Sequence, residues 1–285
     1  MALIGALASS AVLVLIWLLA FHTHIGAQAD QSVFMGFAEL KRGRVDSIAT
    51  LIARICDPAP FLLLSAVAVA VAYVRGRPRL ALAAAVILIG ANATTEVLKP
   101  LLAQPRAHWL IHPNMVISSA SWPSGHATAA MSLVFALVLA APTRWRPLVA
   151  ALGAGFTAAV CYSFLTLSWH YPSDVVGGYL VAVTWTQLVL AGLFALDARR
   201  ASQALEADPR PLSLRAALTP AVGAVILAAA FAVLVAVARP QAVITFAHLH
   251  KTFVLGAAAV GALALALATA MALGIRTSSG SPPAA

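Results

Sequence analysis

Long apolar runs, nearly free of charge, alternate with short polar turns along almost the whole chain. The runs are Ala2–Phe21, Pro60–Val74, Leu80–Leu98, Ala127–Ala141, Leu148–Ser168, Val175–Leu196, Ala216–Ala238 and Thr252–Ile275. A helix crosses a bilayer with about 20 apolar residues, so the pattern predicts eight spans. Ala27-Gln28-Ala29, after the first run, resembles a signal cleavage site. No basic residue precedes that run, and it is longer than the usual apolar core of a signal peptide. The reading is a retained first span.

The period changes within residues 22–57. Val33, Phe34, Phe37 and Leu40, then Ile48, Leu51, Ile52 and Ile55, recur at helical spacing, with Lys41, Arg42, Arg44 and Asp46 between the groups. This predicts two short amphipathic helices lying at the membrane surface on the external side. The plain role for their basic link is contact with lipid headgroups. Residues 197–215 hold Arg199, Arg200, Glu206, Asp208, Arg210 and Arg215 and read as a cytoplasmic linker before two additional spans in 216–275. Residues 276–285 read as a disordered tail. The expected organisation is therefore a transmembrane core over 1–196, with the linker, the extra pair and the tail behind it.

Composition settles the class. Apolar residues make up 62% of the 285 and charged residues 9%, against roughly 45–50% and about 25% in a soluble domain. With so little charge no solvated surface can be built, so the fold class is an all-α integral membrane protein. The net charge of +9 does not indicate nucleic acid, because the arginines sit in short clusters between apolar runs, as loop charges that orient a membrane protein do. Cys56 and Cys161 make no disulfide framework and read as packing residues. With the amino terminus inside, Arg75, Arg77, Arg79, Arg144, Arg146 and the arginines of 199–215 all fall on inner loops. The loops at 104–125 and 169–174 then lie outside.

That topology brings three polar clusters to one external face. In Pro123-Ser124-Gly125-His126, Ser124 is a natural cap for a helix whose free N–H groups can hold an anion. Gly125 lets the backbone approach that anion closely, and His126 can donate a proton; as structure alone, this is a capped helix with an interfacial histidine. His170 and Asp174 flank the turn at Pro172, and a carboxylate on one imidazole nitrogen makes the other a better base or nucleophile. The alternatives are a helix cap, or a metal site if Glu96, Asp174 and both histidines were brought together. Lys99 and Arg106 could serve only as interfacial cations, Lys99 paired with Glu96, yet opposite two histidines they also describe a phosphate pocket.

The order and spacing of Lys99 to Arg106, Pro123-Ser124-Gly125-His126 and Ser163 to His170 to Asp174 resemble the three motifs of the type 2 phosphatidic acid phosphatases, over about residues 80–196. The resemblance implies a six-helix phosphatase-type core and two extra C-terminal helices. It also implies a phosphatase of the plasma membrane that hydrolyses lipid phosphates on the external face without metal or other cofactor. By position His170 would be the nucleophile, Asp174 its orienting carboxylate and His126 the general acid. Lys99, Arg106, Ser124 and the N–H of Gly125 would hold the phosphate. Its partners would be the bilayer and a lipid phosphate: a polyprenyl diphosphate, phosphatidylglycerol phosphate or phosphatidic acid.

The chain departs from the family at two positions. Ala107 stands where a proline follows the first-motif arginine, and Phe164 stands where the third motif has a phosphate-binding arginine. Losing one preorganised donor costs about a hundredfold in rate. Lys41, Arg42 or Arg44 folding over from the external segment is the expected replacement. The alternatives are a phosphotransferase that moves a phosphate-bearing headgroup between lipids, and a retired member that binds or transports a lipid.

Overall fold

The structure, a computed structural model, describes residues 1–104, 117–199 and 214–274. In chain order its helices are α1 (Ala2–His22), α2 (His24–Ala38), α3 (Arg44–Ala53), α4 (Pro58–Val74), α5 (Pro78–Leu101) and α6 (Gly125–Ala140). They continue as α7 (Arg146–Thr166), α8 (Pro172–Arg199), α9 (Leu214–Ala238), α10 (Pro240–Leu249) and α11 (Lys251–Gly274). No strand occurs among the described residues. Proline stands in the first turn of α4, α5, α7, α8 and α10, where its missing N–H costs nothing and its fixed φ favours the helix.

Each apolar run of the sequence is a helix. Among the described residues six helical segments are long and apolar enough to cross a membrane, and α3 with α4 makes a seventh if that pair, bent by 51°, is one span. The bend falls at Asp57, whose extended backbone (φ −62°, ψ 155°) separates the two segments. Helix α6 is shorter, at 16 residues. Most of the linker and all of the 276–285 tail lie outside the described residues.

Helix α6 is the axis of the bundle. Nearly all of its side chains from Ala127 to Ala140 are buried, because α4, α5, α7, α8 and α11 surround it. Without a hydrophobic drive between helices in lipid, such packing depends on small residues that let helices approach. Gly153 on α7 lies under Val134, and Gly90 on α5 lies under the Trp185 ring of α8; a Cβ on either would come within 2.6 Å of that side chain.

Two flanking parts pack on the core. The apolar side of α2 packs on protein: Phe37 lies 5.6 Å from the Tyr162 ring of α7 and 4.8 Å from Phe253 of α11, centroid to centroid. Such aromatic pairs, tilted or edge to face, contribute beyond the area they bury. Of the C-terminal pair, α9 is largely exposed, but α11 buries Val260, Ala264 and Ala268 in the main core. Tyr162 also donates its hydroxyl to the Ala257 carbonyl. The second added helix is thus part of the bundle that supports the site.

Two helix ends share one device. After α4, Arg77 N–H donates to Ala72 O at 3.1 Å and Gly76 N–H to Tyr73 O at 2.9 Å, with Gly76 at φ +72°. After α7, Trp169 N–H donates to Phe164 O and Ser168 N–H to Leu165 O, both at 3.0 Å. This is the same left-handed cap, but with Ser168 at φ +63°. An L-residue there costs about 1–2 kcal/mol that glycine avoids. The strained turn is the one that delivers His170.

Candidate active site

The carboxyl ends of α5 and α7 meet the amino ends of α6 and α8 at one end of the bundle. Ser124 caps α6, its Oγ accepting from Ala127 N–H at 3.3 Å. Its own N–H donates to the Asp174 carbonyl at 2.9 Å, so the start of α6 is tied directly to the first turn of α8. Two adjacent glycines permit this closeness. A Cβ on Gly178 would sit 2.7 Å from the Ser124 carbonyl oxygen and 2.9 Å from Thr128 N, and one on Gly177 would meet the Trp122 indole at 2.9 Å. Backbone atoms cannot move aside as a side-chain tip can, so Gly178→Ala is expected to force α6 and α8 apart and destabilise by about 1–3 kcal/mol. Thermal unfolding in detergent would measure this; an unchanged melting temperature would contradict the close contact.

The His170–Asp174 arrangement spans the turn into α8. Asp174 is fully buried, and its Oδ2 accepts from His170 Nδ1 at 3.3 Å and from Tyr171 N–H at 2.9 Å. The carboxylate therefore holds the ring by Nδ1 and leaves Nε2 available. The His126 ring lies 6.4 Å away, centroid to centroid. Lys99, at the end of α5, pairs with Glu96 and puts its ammonium 3.0 Å from where a Gly125 Cβ would be. Cation, helix amino terminus and both histidines thus share one end of the bundle. Arg106 and Ala107 lie outside the described residues.

Phe164 is completely buried, its ring 5.1 Å from that of His170 and 5.8 Å from that of His126. The residue at the third-motif arginine position thus lies beside both histidines. The Trp169 ring lies 5.7 Å from that of His126, centroid to centroid. Lys41, Arg42 and Arg44 are exposed, and among the described residues none of them bonds a site side chain.

The segment before α4 brings carboxylates instead, and these the sequence reading missed. Asp57 Oδ1 lies 3.2 Å from His126 Nε2. Asp30, buried on α2, accepts from Ser173 N–H at 2.8 Å through one oxygen and from Ser173 Oγ at 2.7 Å through the other. Beside it Phe34 packs on Tyr171 with centroids 4.8 Å apart. The available signal was scarcity: with only nine acidic residues in the chain, each one near a span warrants a partner. Among the described residues no three histidine, cysteine, aspartate or glutamate side chains form a group that could hold a metal ion.

Chemically, one imidazole is oriented by a buried carboxylate and a second faces it under its own carboxylate. Beside them a cation and free helix N–H groups can hold an anion. The arrangement suits attack on a phosphate by one ring and proton transfer by the other.

Residues 80–197, which contain every motif residue from Lys99 to Asp174, match the family model of the PAP2 superfamily. A solved structure, the first transmembrane PAP2-type phosphatidylglycerolphosphate phosphatase from Bacillus subtilis, shares the fold with a TM-score of 0.57. It is 18% identical, and the match covers 71% of this chain and 99% of that one. No curated protein matches the chain.

Proposed function

We infer, from the match of residues 80–197 to the PAP2 superfamily, that the chain is a membrane lipid phosphate phosphatase working through a phosphohistidine. The observation that carries the mechanism is His170 held through Nδ1 by buried Asp174, with His126 across from it. In the proposed reaction His170 Nε2 attacks phosphorus while Lys99, Arg106, Ser124 and the Gly125 N–H hold the phosphate oxygens. The bond from phosphorus to the lipid oxygen breaks, and His126 protonates that oxygen as it leaves. Water, giving its proton to His126, then attacks the phosphohistidine, releasing phosphate and restoring His170. Asp174 steadies the positive charge that develops on His170.

The substrate class is a lipid phosphomonoester or diphosphate: phosphatidic acid, phosphatidylglycerol phosphate or a polyprenyl diphosphate. The site works on the external face of the plasma membrane, in keeping with the arginines of the opposite loops. The test is release of inorganic phosphate by purified protein from a panel of these lipids, with EDTA present throughout. Release that EDTA abolishes and magnesium restores would replace this mechanism with a metal-dependent one.

One observation favours a second reading, a lipid phosphotransferase. Phe164 and Trp169 put apolar rings against both histidines, and a drier site disfavours water as the acceptor of the phosphoryl group. Transfer to a lipid hydroxyl without phosphate release would decide for it.

Phe164 also allows a graded test. An arginine at 164 would start from a position facing both histidines, and restoring one charged donor is worth up to about a hundredfold in rate. Phe164→Arg is expected to raise phosphate release, while alanine at Lys41, Arg42 or Arg44 leaves it unchanged. Loss of turnover on neutralising one of those three cations, with no gain from Phe164→Arg, would show that the external segment supplies the missing donor.

A further inference from the structure

Asp57 stands immediately before α4, at the N-cap position. Aspartate is favoured there because its carboxylate can accept from a free N–H of the first turn. This one makes no such bond. Its Oδ1 instead reaches His126 Nε2 at 3.2 Å, across 69 residues of sequence. Position 57 lies at the 51° bend between the α3 segment and α4. The carboxylate is partly exposed, at 40%, and no other described carboxylate bonds His126.

Each histidine of the site therefore has its own carboxylate: Asp174 on Nδ1 of His170, and Asp57 on Nε2 of His126. A carboxylate only accepts, so in this pairing Nε2 carries a proton. An imidazole held in this way has one tautomer and one orientation. We propose that Asp57 is the positioning residue for the proton-donating histidine, an assignment that rests on the phosphatase reading above. Asp57 holds Nε2–H throughout the cycle, and Nδ1 exchanges protons with the substrate. As the ester bond breaks, the Nδ1 proton of the imidazolium passes to the leaving oxygen. The neutral ring stays bonded to Asp57, and its free Nδ1 takes a proton from the water that attacks the phosphohistidine. Residue 57 precedes the segment that matches the PAP2 superfamily, 80–197, so the family pattern gives it no role.

The leaving group separates this role from a purely structural one. An alkyl oxygen needs a proton to leave, whereas a nitrophenolate hardly does. Purified full-length protein would be assayed with a short-chain phosphatidic acid and with 4-nitrophenyl phosphate. Asp57→Asn is expected to lower kcat on phosphatidic acid about tenfold to a hundredfold with KM little changed, a share of the 10²–10⁴ that acid catalysis supplies. On the aryl phosphate it should lose less than about threefold, which also reports that the variant is folded. In a His126→Ala background, Asp57→Asn should cost nothing more on either substrate, because residues that act as a unit are not additive. Equal losses on both substrates, no loss on either, or a further loss in the His126→Ala background would each overturn the assignment. Wild-type protein that releases no phosphate from phosphatidic acid, phosphatidylglycerol phosphate, a polyprenyl diphosphate or the aryl phosphate overturns the phosphatase reading itself, a distinct outcome.

Discussion

Replacing His170 with alanine is expected to abolish phosphate release from every substrate, with kcat falling by on the order of 10⁴–10⁶. Among the described residues, His170 is the one ring whose Nδ1 is held by a fully buried carboxylate. In the proposed mechanism no product forms unless its Nε2 bonds phosphorus. His126→Ala should behave differently: a loss of about 10²–10⁴ on a lipid phosphate, where the leaving oxygen needs a proton, and a much smaller loss on an aryl phosphate. The informative quantity is the ratio of the two substrates' rates in each variant. A His126→Ala protein as dead as His170→Ala on the aryl phosphate would exchange or merge the two roles. A His170→Ala protein that still turns over would remove the phosphohistidine.

Asp174→Asn should come next in size, lowering kcat by about 10³–10⁴ with little change in KM. The comparison is with the loss that follows when the carboxylate of a catalytic triad becomes an amide and the histidine takes the wrong tautomer. Asparagine has the same shape, so its oxygen can still accept from Tyr171 N–H, and the backbone carbonyl still accepts from Ser124 N–H. Because Oδ2 also accepts from His170 Nδ1, the loss is the carboxylate's negative charge, which steadies the imidazolium as it forms. The fold should therefore survive while the chemistry does not. Unfolding that accompanies the loss of rate would mean that Asp174 serves the architecture first. Near-normal kcat in a folded variant would remove it from the mechanism.

The parts of this molecule that were legible in its sequence are those with a local signature. Spans announce themselves by length, and Ser124 to His126 and His170 to Asp174 by close spacing. Phe164 could be assigned to the site only through the resemblance, as the residue at the third-motif arginine position. The partner of each helix face could not be read. Where lipid is as apolar as a neighbouring helix, the faces of α9 and α11 look alike, yet α9 is exposed and Ala264 and Ala268 of α11 are buried. The same blindness put the apolar side of α2 on lipid when Phe34 and Phe37 in fact pack on Tyr171 and Tyr162. Asp57 and Asp30 were hidden for another reason. They meet their partners across 69 and 143 residues, and only the folded chain creates such a contact.

Those two carboxylates bear on what may be cut from or grafted onto this protein. Asp30 holds the backbone at Ser173 beside one histidine, and Asp57 holds the other histidine's ring, yet both belong to the chain before residue 80. A transplant of the motif-bearing stretch into another scaffold would carry every signature residue and still leave behind the struts that aim two of them. Chimeras joined near Pro78 would inherit a parts list without its alignment jig, and sequence-diverse swaps of the first 79 residues should tune the catalyst without touching a motif.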